Sequence, residues 1–166
     1  MSFSRLLCLL VFGCLLSATL AAPAQAQRTS GSVGLGGQVG EPSGLTLKFY
    51  NESAPSYDFL AAWSLVDDDF FLNGHALWNY DIQAENLDAD QQLEWFVGPG
   101  GFLIIDDDDT PGPGDDEVVI GISGTIGLNF VLDQRFEFFG QVTPRIAIVP
   151  DTEGDVGGGI GFRYYF

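Results

Sequence analysis

The stretch "GIGFRYYF", Gly159 to Phe166, decides the fold. It alternates with a period of two. Ile160, Phe162, Tyr164 and Phe166 fall on one face, and Gly159, Gly161, Arg163 and Tyr165 on the other. Successive side chains of a strand point to opposite faces. This tail therefore reads as a strand with an aromatic, apolar side and a side that is small or charged. The two sides call for different solvents. A polar tail that frays into water would carry no such pattern.

The same period runs back through the chain. Val33, Leu35, Gly37 and Val39 share a face, as do Leu45, Leu47 and Phe49 against Thr46, Lys48 and Tyr50. Tyr57, Phe59, Ala61, Trp63 and Leu65 oppose Asp58, Leu60, Ala62 and Ser64. Phe70, Leu72, Gly74, Ala76, Trp78 and Tyr80 oppose Phe71, Asn73, His75, Leu77 and Asn79. A fifth strand starts at Leu93, Trp95 and Val97 and runs to about Ile105. The sixth sets Ile120, Ile122, Gly124, Ile126, Leu128 and Phe130 against Gly121, Ser123, Thr125, Gly127 and Asn129. The seventh sets Phe136, Phe138, Val142, Ile146 and Ile148 against Glu137, Gln141, Thr143 and Arg145. Turn chemistry separates the runs at 41–43, 51–56, 66–69, 81–91, 106–117, 131–134 and 150–155. No helical period appears after residue 30. Strands of this length match the ~9–11 residues that cross a bilayer at a tilt. The count of eight closes into an antiparallel up-and-down barrel without exposed edges.

Alternation by itself does not say which face is inside. A soluble barrel turns its apolar face inward, whereas an outer-membrane barrel turns it toward lipid. Two features favour lipid. The polar face is sparse and self-complementary, with Lys48, Asp58, His75, Glu137, Gln141, Arg145 and Arg163 among Gly, Ser, Thr and Asn. A soluble exterior would carry many more Lys and Glu, and a narrow eight-stranded lumen is filled by side chains. The apolar face is broad and aromatic near strand ends, as membrane-interface girdles are. The expected fold is a transmembrane β-barrel over 27–166 with a polar plug in its lumen, in which Glu137 bridges at least one of Lys48, Arg145 and Arg163. A soluble periplasmic barrel holding an apolar ligand is the alternative.

The first residues set the compartment. A short basic start, the apolar run Leu6–Leu20 and the small residues Ala24-Gln25-Ala26 fit a secretory signal peptide spanning 1–26. Cys8 and Cys14 both lie inside it, so the mature chain carries no thiol for a disulfide or thiolate metal site. Val11-Phe12-Gly13-Cys14 loosely resembles a lipobox, but Phe12 fits it poorly and the apolar run continues past Cys14.

Charge narrows the partners. Lys+Arg 6 against Asp+Glu 23 give a net charge of -17, at a mean hydropathy of +0.16. Such an acidic chain is not a nucleic-acid binder. An acidic surface suits cations, saline surroundings or a basic partner. The acids concentrate in "DDDDTPGPGDDE", with Asp106, Asp107, Asp108 and Asp109 before two prolines and Asp115, Asp116 and Glu117 after them. The spacing and central glycine of a helix-loop-helix calcium site are absent, so diffuse cation attraction is the reading preferred over a defined site. The glycines of "SVGLGGQVG" and "VGGGIGF" precede no helix and make no phosphate loop; they let strands bend and pack. Asp58, His75 and Ser64 contain the residue types of a hydrolase triad, but a packed lumen offers them no oxyanion site. No enzyme activity and no cofactor are expected.

The stretches "GEPSGLTLKFY" (40–50), "AAWSL" (61–65), "HALWNY" (75–80), "GLNF" (127–130), "VTPRIAIVP" (142–150) and "GGGIGFRYYF" (157–166) give the chain a family likeness. It resembles the small outer-membrane β-barrels of the OmpA/OmpX type, and more closely a spirochaete-type outer-membrane barrel family of unknown function. The resemblance implies an eight-stranded antiparallel barrel, a cleaved signal and a terminal aromatic signal, here Phe162, Tyr164 and Phe166, read by the outer-membrane assembly machinery. The acidic 106–117 segment departs from that pattern. The functional expectation is a monomeric outer-membrane barrel with a structural, adhesive or surface-interaction role, or else a narrow porin-like channel. With both termini periplasmic, the connections at 41–43, 66–69, 106–117 and 150–155 face outside.

Overall fold

The computed structural model describes residues 28–63, 70–84, 87–105 and 118–166. Residues 1–26, Ser64, and the acidic positions Asp106–Asp109, Asp115, Asp116 and Glu117 lie outside the described residues. Every regular element among the described residues is a strand: β1 (Val33–Glu41), β2 (Gly44–Phe49), β3 (Ser56–Trp63), β4 (Phe70–Asp81), β5 (Gln91–Ile105), β6 (Val118–Leu132), β7 (Phe136–Val149) and β8 (Gly154–Tyr165). They form one closed barrel in chain order, each strand antiparallel to the next. β1 meets β8 through pairs from Gly34↔Tyr165 to Glu41↔Gly158, which removes both sheet edges.

The boundaries differ from the sequence reading at five turns: Glu41 ends β1, Ser56 opens β3, Val131 and Leu132 extend β6, and two further connections shrink. Asp81 and Gln91 extend β4 and β5 into the polar connection, and Asp155 belongs to β8. Antiparallel pairing rewards any residue that can reach its neighbour's backbone, so polar flanks are drawn into the ladder. The β6–β7 hairpin turns on Asp133 and Gln134, with φ of 51° and 55°. Two consecutive positive φ values make the tight turn from Leu132 to Arg135, closed by the Arg135 amide on the Leu132 carbonyl, with a twist that matches that of the strands.

The faces are inverted relative to a soluble protein. Leu35, Val39, Leu45, Ile122, Ile126, Leu128, Val142, Ile146 and Ile160 are exposed around the middle of the barrel. Near the end that carries both termini they give way to aromatics. Tyr80 stacks on Trp95 at 4.5 Å, Phe136 meets Tyr164 at 5.3 Å, and Tyr164 meets Phe166 at 5.0 Å. The buried set includes Lys48, Asp58, Glu94, Glu137 and Arg163.

The interior changes character along the axis. A charged cluster fills the half nearest the termini. Uncharged polar side chains such as Asn73, Ser123, Thr125 and Thr143 occupy the middle. At the far end Leu60, Ala62, Phe71 and Phe102 form an apolar cluster, with Ile104, Val119 and Ala147 against it.

Candidate functional site

Glu137 is the second residue of β7, and its pair partner across the ladder is Arg163 of β8. Both point into the lumen because their outward neighbours, Phe136, Phe138 and Phe162, are apolar. Arg163 Nη1 donates to Glu137 Oε1 at 2.7 Å. Its Nη2 reaches across the lumen to both oxygens of Asp58, at 2.8 and 2.9 Å, and its Nε donates to Thr46 Oγ1 at 3.0 Å. The guanidinium also lies 3.8 Å from the ring centroid of Phe139. A planar fork held by two carboxylates, a hydroxyl and a ring face has one orientation.

Glu137 takes further partners. Lys48 Nζ lies 3.2 Å from its Oε2, and the Tyr165 hydroxyl donates to the same oxygen at 2.8 Å. Lys48 pairs in register with Asp58, yet its ammonium turns to Glu137. Two more charged residues, Arg28 and Glu94, enter the cluster that the sequence reading did not place there. Arg28 precedes β1; its Nη2 donates to Glu94 Oε2 at 2.5 Å, its Nε lies 3.7 Å from Glu137, and its guanidinium covers the Tyr50 ring at 3.9 Å. Glu94 also accepts from Asn129. Burial works against the charge of Arg28, but the carboxylates of Glu137 and Glu94 outweigh it and hold its pKa above the ordinary arginine value.

Arg28 reaches this position through the chain that leads into β1. The Arg28 amide donates to the Gln134 carbonyl and the Gly31 amide to the Tyr50 carbonyl, while the Tyr50 amide donates to Ser32. Gly31 has φ 94°, a left-handed conformation that only glycine adopts without strain. Three cations (Arg28, Lys48, Arg163) thus face three carboxylates (Asp58, Glu94, Glu137), and their charges balance.

The other candidate residues sit elsewhere. His75 is opposite Asp58 in register, but Asp58 gives both oxygens to Arg163, and His75 Nε2 lies 3.1 Å from Ser123 Oγ. A histidine and serine without an orienting carboxylate do not make a charge relay. Gln141 donates to Gln38 Oε1 at 2.9 Å. Arg145 is far up β7 from Glu137 and pairs with Asp155, its register partner on β8. The sequence reading put Glu137, Arg145 and Arg163 on one side of the barrel. They do share the β7–β8 wall, but Arg145 stands at its other end. Among the described residues no group of three or more His, Asp or Glu is placed to hold a metal ion.

The closed barrel of eight antiparallel strands has counterparts among solved structures. The N-terminal β-barrel domain of Pseudomonas aeruginosa OprF superposes with a TM-score of 0.51 at 13% identity, covering 86% of this chain and 100% of that one. The fold is that of a small outer-membrane β-barrel. The attachment invasion locus protein Ail of Yersinia pestis matches at a TM-score of 0.43 and 14% identity, over 81% of this chain and 94% of that one. Neisserial surface protein A matches at 0.42 and 11%, over 81% and 94%. No family profile and no curated protein matches the chain in sequence.

Proposed function

We propose that this protein is an integral protein of the bacterial outer membrane, inserted as a monomer by the barrel assembly machinery after loss of its leader. Its apolar belt lies in lipid and its lumen is closed to solutes. Its role is structural or adhesive and is carried by the acidic end of the barrel, where the 106–117 connection joins β5 to β6. The observation that carries this reading is the inversion of the two faces. Val39 and Ile160 are each 72% exposed, while Lys48 and Glu137 are 0% exposed. In water that arrangement would expose an apolar surface far larger than a monomer tolerates and bury charge for nothing in return. In a bilayer the same arrangement is the favourable one.

The charged cluster argues against a porin. It spans the lumen from β7 and β8 to β2 and β3, with side chains at hydrogen-bond distance. An even strand number puts both termini on one side, and the aromatic ring at that side fits the periplasmic interface. Phe166, with Tyr164 and Phe162 below it on the outer face, is the terminal signal in this reading.

Fractionation of the native host tests the proposal. The protein is expected in the outer-membrane fraction, migrating faster before boiling than after it. Recovery as free periplasmic protein with a single mobility would overturn it.

A further inference from the structure

At the end opposite the termini the lumen opens into a cavity of about 550 Å³. Small-molecule sites usually hold roughly 300–1,000 Å³. Its walls are Ala62, Phe71, Phe102, Ile104, Val119 and Ala147, with the rings of Phe71 and Phe102 stacked at 6.0 Å. Below, the space narrows to about 10 Å³ between Asp58, His75 and Gln141, so anything that enters stops there.

Acidic groups outnumber basic ones around this cavity. Among the described residues its single cation, Arg145, is already paired with Asp155 and lies over the Phe71 ring, 5.1 Å from the centroid. Glu41 and Glu153 line the mouth and hold no ion pair among the described residues. Gln141 is buried at the narrow floor, and its Oε1 accepts no hydrogen bond among the described residues. Two charged acceptors, Glu41 and Glu153, thus stand at the mouth without an ion pair, and Gln141 adds a buried acceptor at the floor, beside an apolar and aromatic wall.

We propose that this cavity binds a small amphiphilic cation, with an apolar or aromatic body between Phe71, Phe102 and Ile104 and an ammonium or guanidinium group held at the mouth by Glu41 and Glu153. An anionic amphiphile would have to displace Asp155 from Arg145 and pass two like charges, which disfavours it. The mouth faces the cell exterior only if the orientation proposed above holds; binding by the purified barrel does not depend on it.

The test uses the folded barrel in phosphatidylcholine nanodiscs at low salt, titrated calorimetrically with 4-phenylbutylammonium, 4-phenylbutanol and 4-phenylbutanoate, with empty discs as the blank. Saturable binding in the order cation, alcohol, anion is expected. Glu41→Gln and Glu153→Gln should each weaken the cation by about five-fold. Ala147→Trp, or Val119→Phe should the first variant fail to fold, should abolish binding by filling the cavity. Equal binding of the three probes, preference for the anion, or cation binding untouched by these substitutions would overturn the proposal. Recovery of the protein from the periplasm would overturn the membrane reading instead, and would leave the binding result standing.

Discussion

Glu137 is the residue on which the interior turns. It accepts from Arg163 at 2.7 Å and from Tyr165 at 2.8 Å, and it faces Lys48 at 3.2 Å. Each cation is fully buried, so removing the carboxylate leaves charge without a counterion. Glu137→Gln is expected to destabilise the barrel by about 3–5 kcal/mol, read as a lower urea midpoint in detergent or lipid. An unchanged midpoint would show that the cluster does not hold the barrel together. Four members of this cluster were legible from parity alone, whatever the length of their strands: Lys48, Asp58, Glu137 and Arg163 alternate with apolar neighbours. Their partners were not. Asp58 stands beside His75 in register but bonds Arg163 of β8, because in a narrow lumen side chains meet from opposite walls. Arg28 lies before any periodic segment, so no pattern marked it as an interior residue. Glu94 lies between Leu93 and Trp95, so the same parity that marked those two as outward placed it inward; the sequence reading did not draw that consequence.

At the scale of elements, closure of β1 on β8 is the step that makes a barrel of a sheet. Gly36 pairs with Arg163 at this seam. A Cβ on Gly36 would lie 1.7 Å from the carbonyl oxygen of Phe162, a backbone atom that cannot turn aside. Gly36→Ala is therefore expected to force the seam apart and cost at least about 1–3 kcal/mol, seen as loss of the fast-migrating unboiled form. Normal migration would show that the seam yields. The end of β8 carries a separate prediction. Phe166 is 64% exposed, touches Tyr164 on the outer face and ties the chain to β1 through one backbone bond to Val33. Its deletion should change the refolded barrel's stability by only about 1 kcal/mol while sharply lowering the amount assembled in cells; equal assembly would remove it as a signal. Strand number and facing were readable because a period of two needs only residue types. Strand ends were not, since Asp81, Gln91 and Asp155 pair through their backbones whatever their side chains.

Taken whole, the molecule is a barrel turned inside out relative to a soluble one: balanced charge within, aliphatic residues around its waist, aromatic rings near the end that holds its termini. Everything proposed for its function rests on lipid meeting the outer face. The most direct test places a nitroxide at that face. A chain beginning after residue 26 carries no native cysteine, so single-cysteine variants at Leu128, Val142 and Ile160, exposed by 53%, 52% and 72%, label cleanly. Reconstituted in liposomes, all three labels should collide with oxygen, which concentrates in the hydrocarbon, far more readily than with a water-soluble nickel chelate. Labels that meet the nickel chelate more readily than oxygen would place this face in water and contradict the account.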